Sequence, residues 1–382
     1  MNKNLPVNIN ILKWSRESIG LTIKDVANII KKDIQLVAAW ENGAESPTYS
    51  QLENLAYNVY KRPVAVFFFP EIPDEDNPKT DFRTLPSTIV NSLPPEIIKL
   101  YRKAKIFQLN IEELYEGNSL NQNRILDKFH ISDAKNISNF VENIRDFLGI
   151  SYEEQFSWQS HDIALKEWRE LLERKGIFIF KDAFHNEDYS GFCLYDKLYP
   201  IIYINNSMPF SRQIFTVFHE LAHLLFHKGG IDFRENNRLN FIENEYANYE
   251  TVCNRFANEF LVPTKVFINE NLIVSEKNIS ILAQKYSVSR EVILRNFLDL
   301  KLIDNSFYKK MTMKWIDDLK LINQKKTPGG NYYYTNISYL GENYINLAFS
   351  KYYQNKISIE NLSEYLNTKV KNIESFEHYV YN

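Results

Sequence analysis

Cysteine is scarce in this chain, and the scarcity excludes a class of folds. Two thiols in 382 residues, Cys193 and Cys253, cannot build the disulfide framework of small secreted domains, and they fit a reducing compartment. Charge of one sign is also missing: a formal net charge of −3 gives no overall basic field for nucleic acid or an anionic membrane. No apolar run approaches the roughly 20 residues of a membrane-spanning helix. The start, Met1-Asn-Lys-Asn-Leu-Pro6, lacks the apolar stretch of a secretory signal. Internal repeats and extended low-complexity tracts are absent as well. The expectation is a soluble, cytoplasmic protein with no membrane partner, long enough for two or three domains with ample core.

What is present is one stretch that carries chemistry. Phe215-Thr-Val-Phe-His219-Glu220-Leu-Ala-His223-Leu-Leu-Phe-His227 has the apolar spacing of an amphipathic helix. Asn205-Asn206-Ser207 and Pro209 suit its start, and Gly229-Gly230 suit its end. At 3.6 residues per turn His219 and His223 stand one above the other, placed to grip one metal ion. Glu220 lies about 100° round the axis from His219 and can reach a water on that ion without binding the ion itself. His227 continues the i, i+4 series, but it sits roughly 12 Å along the axis from His219, whereas zinc–nitrogen bonds are near 2 Å. One straight helix cannot close three such histidines on one ion, so a third ligand is expected from elsewhere.

The next helical stretch, Tyr246 to Pro263, supplies it. Glu250, Cys253, Asn254 and Ala257 share a face at i, i+3, i+4 and i+7. Cys253 and Ala257 are small, which lets this helix approach the first and makes Glu250 the expected ligand. Its rivals are placed less well: Glu243 and Glu245 lie in the polar stretch before the helix, and Glu259 faces another way. The expected site is Zn2+ held by His219, His223 and Glu250, with Glu220 as general base.

These segments resemble the ImmA/IrrE family of metallo-endopeptidases, whose pattern is HE-x-x-H, then E-x-x-A-N-x-F-A and an apolar Leu-Pro end. This chain has His219-Glu220-Leu-Ala-His223, Glu250-Thr-Val-Cys253-Asn254-Arg-Phe256-Ala257 and Leu261-Val-Pro263. Cys253 stands where the family usually has alanine, one small side chain for another. The resemblance implies a zinc endopeptidase that regulates transcription by cutting a helix-turn-helix repressor. Glu220 would take a proton from the attacking water and hand one to the leaving amine. Tyr246, Tyr249, Asn254 and His227 are all open as helpers for the oxyanion. The competing class is a non-catalytic binder: a DNA-binding antitoxin or repressor, paired with a cognate toxin, in which the metal only stabilises the fold. An intact Glu220 favours the enzyme, because a structural site has no need of an unliganded base.

Residues 8 to 62 read as four short helices: Ile9 to Ser18, Thr22 to Ile30 behind a Thr22–Asp25 capping box, Ile34 to Asn42 capped by Gly43, and one starting at Thr48 or Ser50. With Trp40-Glu41-Asn42-Gly43 and Ser46-Pro47-Thr48 as landmarks, the segment resembles an Xre-type helix-turn-helix domain. In such domains Ile34 to Asn42 would enter the major groove. Base-reading side chains are few there, since Gln35 is followed by Leu36, Val37, Ala38 and Ala39. Gln35, Lys31 and Lys32 are the candidate DNA contacts. Through Arg62 the segment carries eight basic and six acidic side chains, few for a surface that tracks phosphates, so contact with a protein is the rival use.

Pro63 to Pro70 is an apolar run expected to pack under that domain, and Glu71 to Pro78 reads as a linker. Asp81 to Pro86 resembles a segment that follows the domain in fused family members. Lys99 to Leu109, Ile137 to Leu148 and Ile163 to Lys175 carry helical periodicity, with His130 and His161 expected at the surface. Gly176 to Phe180, Ser190 to Tyr195 and Tyr199 to Ile204 read as strands, the last two joined through Asp196 to Leu198. One strand beside the metal is expected to offer an edge for extended substrate. Ile279 to Ile303 reads as a second helix–turn–helix, Lys325 to Gly330 as a flexible break and 331–382 as helical. The expected fold is α+β and mostly helical. Its parts are an Xre-like domain (1–70), a linker (71–94), a zincin-like metallopeptidase domain with a small β-sheet (95–270), a helical module (271–325) and a helical C-terminal region (326–382).

Overall fold

The computed structural model of the chain describes residues 5–60, 62–73, 93–118, 123–131, 136–233, 244–323 and 331–381. Two compact units divide it, Met1–Lys103 and Ala104–Asn382.

In the first unit four helices follow one another: α1 (Ile9–Glu17), α2 (Ile23–Ile30), α3 (Ile34–Asn42) and α4 (Tyr49–Asn54). Their ends follow the local chemistry. The Thr22 hydroxyl accepts from the Asp25 N–H while the Asp25 carboxylate accepts from the Thr22 N–H, and Thr48 and Gln51 repeat the box at α4. α2 stops at Lys31 in the left-handed region (φ 55°), and α3 at Gly43 (φ 79°), where glycine is at ease. Ile11, Leu12, Val26, Val37, Trp40 and Leu52 form the core. Across it Arg16 of α1 clasps Glu41 of α3, Nε to Oε1 at 2.6 Å and Nη2 to Oε2 at 2.8 Å. The run at 63–70 packs only in part: Val64 and Phe67 are buried, whereas Phe68 and Phe69 stay exposed. Most of the expected linker, and the whole of 81–86, lie outside the described residues.

The boundary between the units falls inside α5 (Pro95–Leu114). The second unit continues through α6 (Ile125–Lys128), α7 (Ile137–Leu148), α8 (Tyr152–Ser157) and α9 (His161–Glu173). Then come β1 (Phe178–Asp182), β2 (Tyr189–Leu194), β3 (Ile201–Asn205), α10 (Phe210–Leu225), β4 (Gly230–Phe233) and α11 (Asn244–Leu261). The four strands form one mixed sheet in the order β1-β3-β2-β4, parallel between β1 and β3 and antiparallel elsewhere.

Alternation along the strands sorts the side chains into two layers. Ile179, Cys193, Ile202 and Ile204 join the core shared with α10 and α11. Phe180 turns to the other face, where Phe107 of α5 stacks on it at 4.3 Å. Trp168 of α9 meets Phe218 of α10 edge-on at 4.9 Å, and Phe218 stacks on Phe260 of α11 at 4.3 Å, so aromatic rings set the spacing of three helices. The C-terminal carbonyls of α11 are held by buried polar groups: Arg145 Nη1 donates to Phe260 O at 3.1 Å and Gln155 Nε2 to Leu261 O at 3.0 Å.

Beyond α11 the unit is helical: α12 (Thr264–Phe267), α13 (Glu276–Tyr286), α14 (Arg290–Asp299), α15 (Asn305–Asn323), α16 (Tyr332–Leu340), α17 (Glu342–Tyr353), α18 (Ile359–Tyr365) and α19 (Ile373–Tyr381). α13 and α14 are joined by a short turn with Ser287 left-handed (φ 55°) and Ser289 capping α14. The expected break at 325–330 lies outside the described residues. Among them no helix is long and apolar enough to cross a membrane.

Candidate metal centre

α10 carries His219, Glu220 and His223 on its buried side, packed between the sheet and α11. The helix ends sooner than its glycines suggest. Phe226 caps it, His227 takes the left-handed turn at φ 55°, and the Lys228 N–H returns to His223 O at 3.2 Å. Gly230 opens β4 instead, a strand that short-range patterning did not reveal. Its glycine has a steric reason, since a Cβ there would stand 2.5–2.8 Å from the ring atoms of His223. The edge strand therefore lies directly against one member of the expected metal set.

α11 brings Glu250 to the same point. His219 Nε2 and Glu250 Oε2 are 3.2 Å apart, as are His223 Nε2 and Glu250 Oε1, and the two Nε2 atoms. Among the described residues this is the one group of His, Cys, Asp or Glu whose ligand atoms converge in this way. Three donors held about 2.0–2.1 Å from one tetrahedral ion are themselves spaced roughly 3.3 Å, so the cluster has the dimensions of a zinc site. Its chemistry agrees: two imidazoles and a carboxylate are the donor set of catalytic zinc, which leaves a fourth position open. Glu250 Oε1 is buried and, apart from His223 Nε2, has no polar partner among the described residues, as expected of an atom meant for an ion shared with that ring.

Electrostatics point the same way. Burial pushes His219 down, but Glu250 and Asp232 outweigh it and carry the ring up to about 9. Burial also pushes Glu250 up, and His223 and His219 outweigh that, holding its carboxyl well below the usual carboxylate range. The pocket thus favours positive charge between these three side chains. Glu220 is fully buried, and among the described residues the weakly donating Cys193 thiol is the side chain that hydrogen-bonds toward it, with no nitrogen or hydroxyl donor on either oxygen. Burial raises its carboxyl to about 7 against the pull of His223 and His219.

The other sequence candidates fall away from the cluster or behind it. His227 stacks on Tyr195 at 5.0 Å, meets His130 edge-on at 4.6 Å and has Nε2 3.3 Å from Leu126 O. Cys253 is buried beside the site but outside the converging group. Glu259 caps the next turn, taking the Thr264 hydroxyl at 2.6 Å. Glu243 and the side chains of Glu245 and Tyr246 lie outside the described residues. Tyr249 is engaged by Lys228, Nζ to OH at 2.7 Å. Asn254 stands behind His219, its Oδ1 3.1 Å from Nδ1; that pairing puts the ring proton on Nδ1 and frees the Nε2 lone pair. The i+4 spacing from Glu250 signalled that Asn254 shares the face, though not which job it has. In the first unit Lys31, Lys32 and Gln35 are exposed at the α2–α3 turn and the start of α3.

Residues 172–298, about a third of the chain, match the family model described as the IrrE N-terminal-like domain of Peptidase_M78. The segment from the end of α9 through α14 is therefore similar to a metallopeptidase-type domain, which supports the ImmA/IrrE resemblance for that part of the chain. Curated proteins include no match. Among solved structures, a Mycobacterium tuberculosis transcriptional regulator is similar at 17% identity and a TM-score of 0.28. The likeness covers 50% of this chain and 51% of that one. The chain thus spans about half the length of that regulator, and a likeness so low carries no argument.

Proposed function

We propose that the chain is a zinc-dependent endopeptidase that regulates transcription by cutting a helix-turn-helix repressor in the cytoplasm. Glu220 supports the reading most: a buried carboxylate with no donor stronger than the Cys193 thiol is costly to a fold, and this one belongs to the same helix face as two of three converging ligands. Neutral His219 and His223 and anionic Glu250 would hold the ion, and Asn254 would orient His219. Zinc bound there supplies Lewis acidity for a peptide carbonyl and for a water. Glu220, whose burial raises its proton affinity, takes the water's proton and delivers one to the leaving amine. β4 is an edge of the sheet among the described residues, and its backbone is placed to pair with an extended substrate. The first unit would dock the repressor or its operator, with Gln35, Lys31 and Lys32 at the contact.

Glu220→Gln tests the proposal, because it keeps size and both histidines while removing the base. Zinc content should stay at wild-type level and turnover fall about 10²- to 10⁴-fold. Cells carrying it should accumulate uncut repressor. If the variant matches wild type in every such assay while ligand variants unfold, the site is structural and the antitoxin reading takes its place.

A further inference from the structure

We propose that Asp232 is a positioning residue: it locks the edge strand β4 to the metal helix α10 and so sets how far from His219, His223 and Glu250 a peptide paired on that edge runs. The functional part of this inference rests on the endopeptidase reading; the geometry does not.

β4 has four residues and, among the described residues, pairs with β2 alone. A strand so short, with one neighbour, is weakly held by its ladder. Alternation turns Gly230 and Asp232 toward α10 and buried Ile231 away. Gly230 closes on the His223 ring. Asp232 is only 6% exposed, and its carboxylate accepts from Arg212 Nη2 at 3.0 and 2.9 Å and from the Thr216 hydroxyl at 3.0 Å. Arg212 and Thr216 are one turn apart on α10, and the next turns of that helix carry His219, Glu220 and His223.

β2 meets the same turn of α10. Its pairing with β4 slips between Tyr189 and Gly191, leaving Ser190 as the extra residue of a bulge, and the Ser190 hydroxyl accepts from Arg212 Nε at 3.0 Å. Gly191 lets β2 come close: a Cβ there would stand 2.5 Å from Thr216 Cγ2. Helix, bulge and edge strand thus converge on one ion pair, with the Ser190 and Thr216 hydroxyls beside it. Such a pair adds little stability over apolar side chains of similar volume. What it does add is direction, since the carboxylate accepts only where Arg212 and Thr216 donate. Bulges beside active sites commonly re-aim a strand in this way.

Hydrogen exchange on the full chain is the first test. In Asp232→Ala the amides of 230–233 should exchange about tenfold faster, with the middle of α10 unchanged. Equal protection in variant and wild type overturns the inference, whatever the chain cleaves. The second test separates positioning from stability. Arg212→Met/Asp232→Leu replaces the pair by apolar side chains; it orphans the buried Thr216 and Ser190 hydroxyls and should lower the thermal midpoint by a few degrees, while the zinc content, and kcat measured well below that midpoint, should hold. With fluorescein-labelled β-casein as an unfolded-protein probe, KM should rise roughly ten- to a hundredfold with kcat little changed. In the Glu220→Gln background the Kd for the same probe, read by anisotropy, should rise in parallel. A double variant that binds and cuts β-casein like wild type shows Asp232 to be merely structural. Wild type cutting no faster than Glu220→Gln counts against the endopeptidase reading instead, and hydrogen exchange alone then decides the role of Asp232.

Discussion

His219 and His223 are held from behind as well as in front, and variants of single residues can tell the two kinds of support apart. The three ligand atoms converge on one point, so His219→Ala, His223→Ala and Glu250→Ala should each lose zinc on elemental analysis, and His227→Ala should keep it. Full occupancy in Glu250→Ala with loss in Cys253→Ser would move the third ligand to the thiol. Two further residues touch no metal. Asn254 sits 3.1 Å from His219 Nδ1, and its replacement by alanine should weaken zinc binding about 10- to 100-fold. Gly230→Ala forces a methyl into the His223 ring, and one of the two must shift. A competition titration against a zinc chelator is expected to show a loss at least as large as that of Asn254→Ala. Wild-type affinity in Gly230→Ala would mean that β4 yields and the ring stays.

At the level of elements, the legible parts were those with a long period and a marked end. Ile137–Leu148 is one, with apolar spacing over three turns and Gly149 to stop it; the Thr22–Asp25 box is another. β1, β2 and β3 lie within a few residues of their expected places because each is an apolar run bounded by turn residues. β4 escaped because four residues show no period and its leading glycines look like a helix stop. Asp232 escaped with it, since its importance comes from contacts across the fold. α3 is the element whose use is most open to measurement. Its exposed start presents Ile34 and Gln35, and Arg16 is spent on Glu41 rather than offered to phosphate. Binding of the chain to DNA is therefore expected to be weak and steeply salt-dependent, with phosphate contacts supplying most of it. Tight, salt-insensitive binding to a defined operator by fluorescence anisotropy would show that α3 reads bases after all.

For the whole molecule, the metal cluster ties together two consecutive helices of the second unit. α10 and α11 contribute the ligands, and 234–243 of the intervening chain lie outside the described residues. Aromatic packing through Trp168, Phe218 and Phe260 holds the two helices together on one side. On the other side two histidines and a carboxylate converge on one point, which an ion would bridge. An ion that binds the folded unit and not the unfolded chain stabilises it by about 4 kcal/mol at a thousandfold excess over Kd. The unit 104–382 has its own core, as does 1–103, so the linkage should act on one and not on the other. Calorimetry with and without a zinc chelator is expected to lower the midpoint of the transition that belongs to 104–382 and to leave that of 1–103 in place. Hydrogen exchange can assign the transitions, because only amides of the affected unit lose protection. Removing the metal without moving either midpoint would mean that aromatic packing alone sets the helix pair, and that the ion adds chemistry to a site already built.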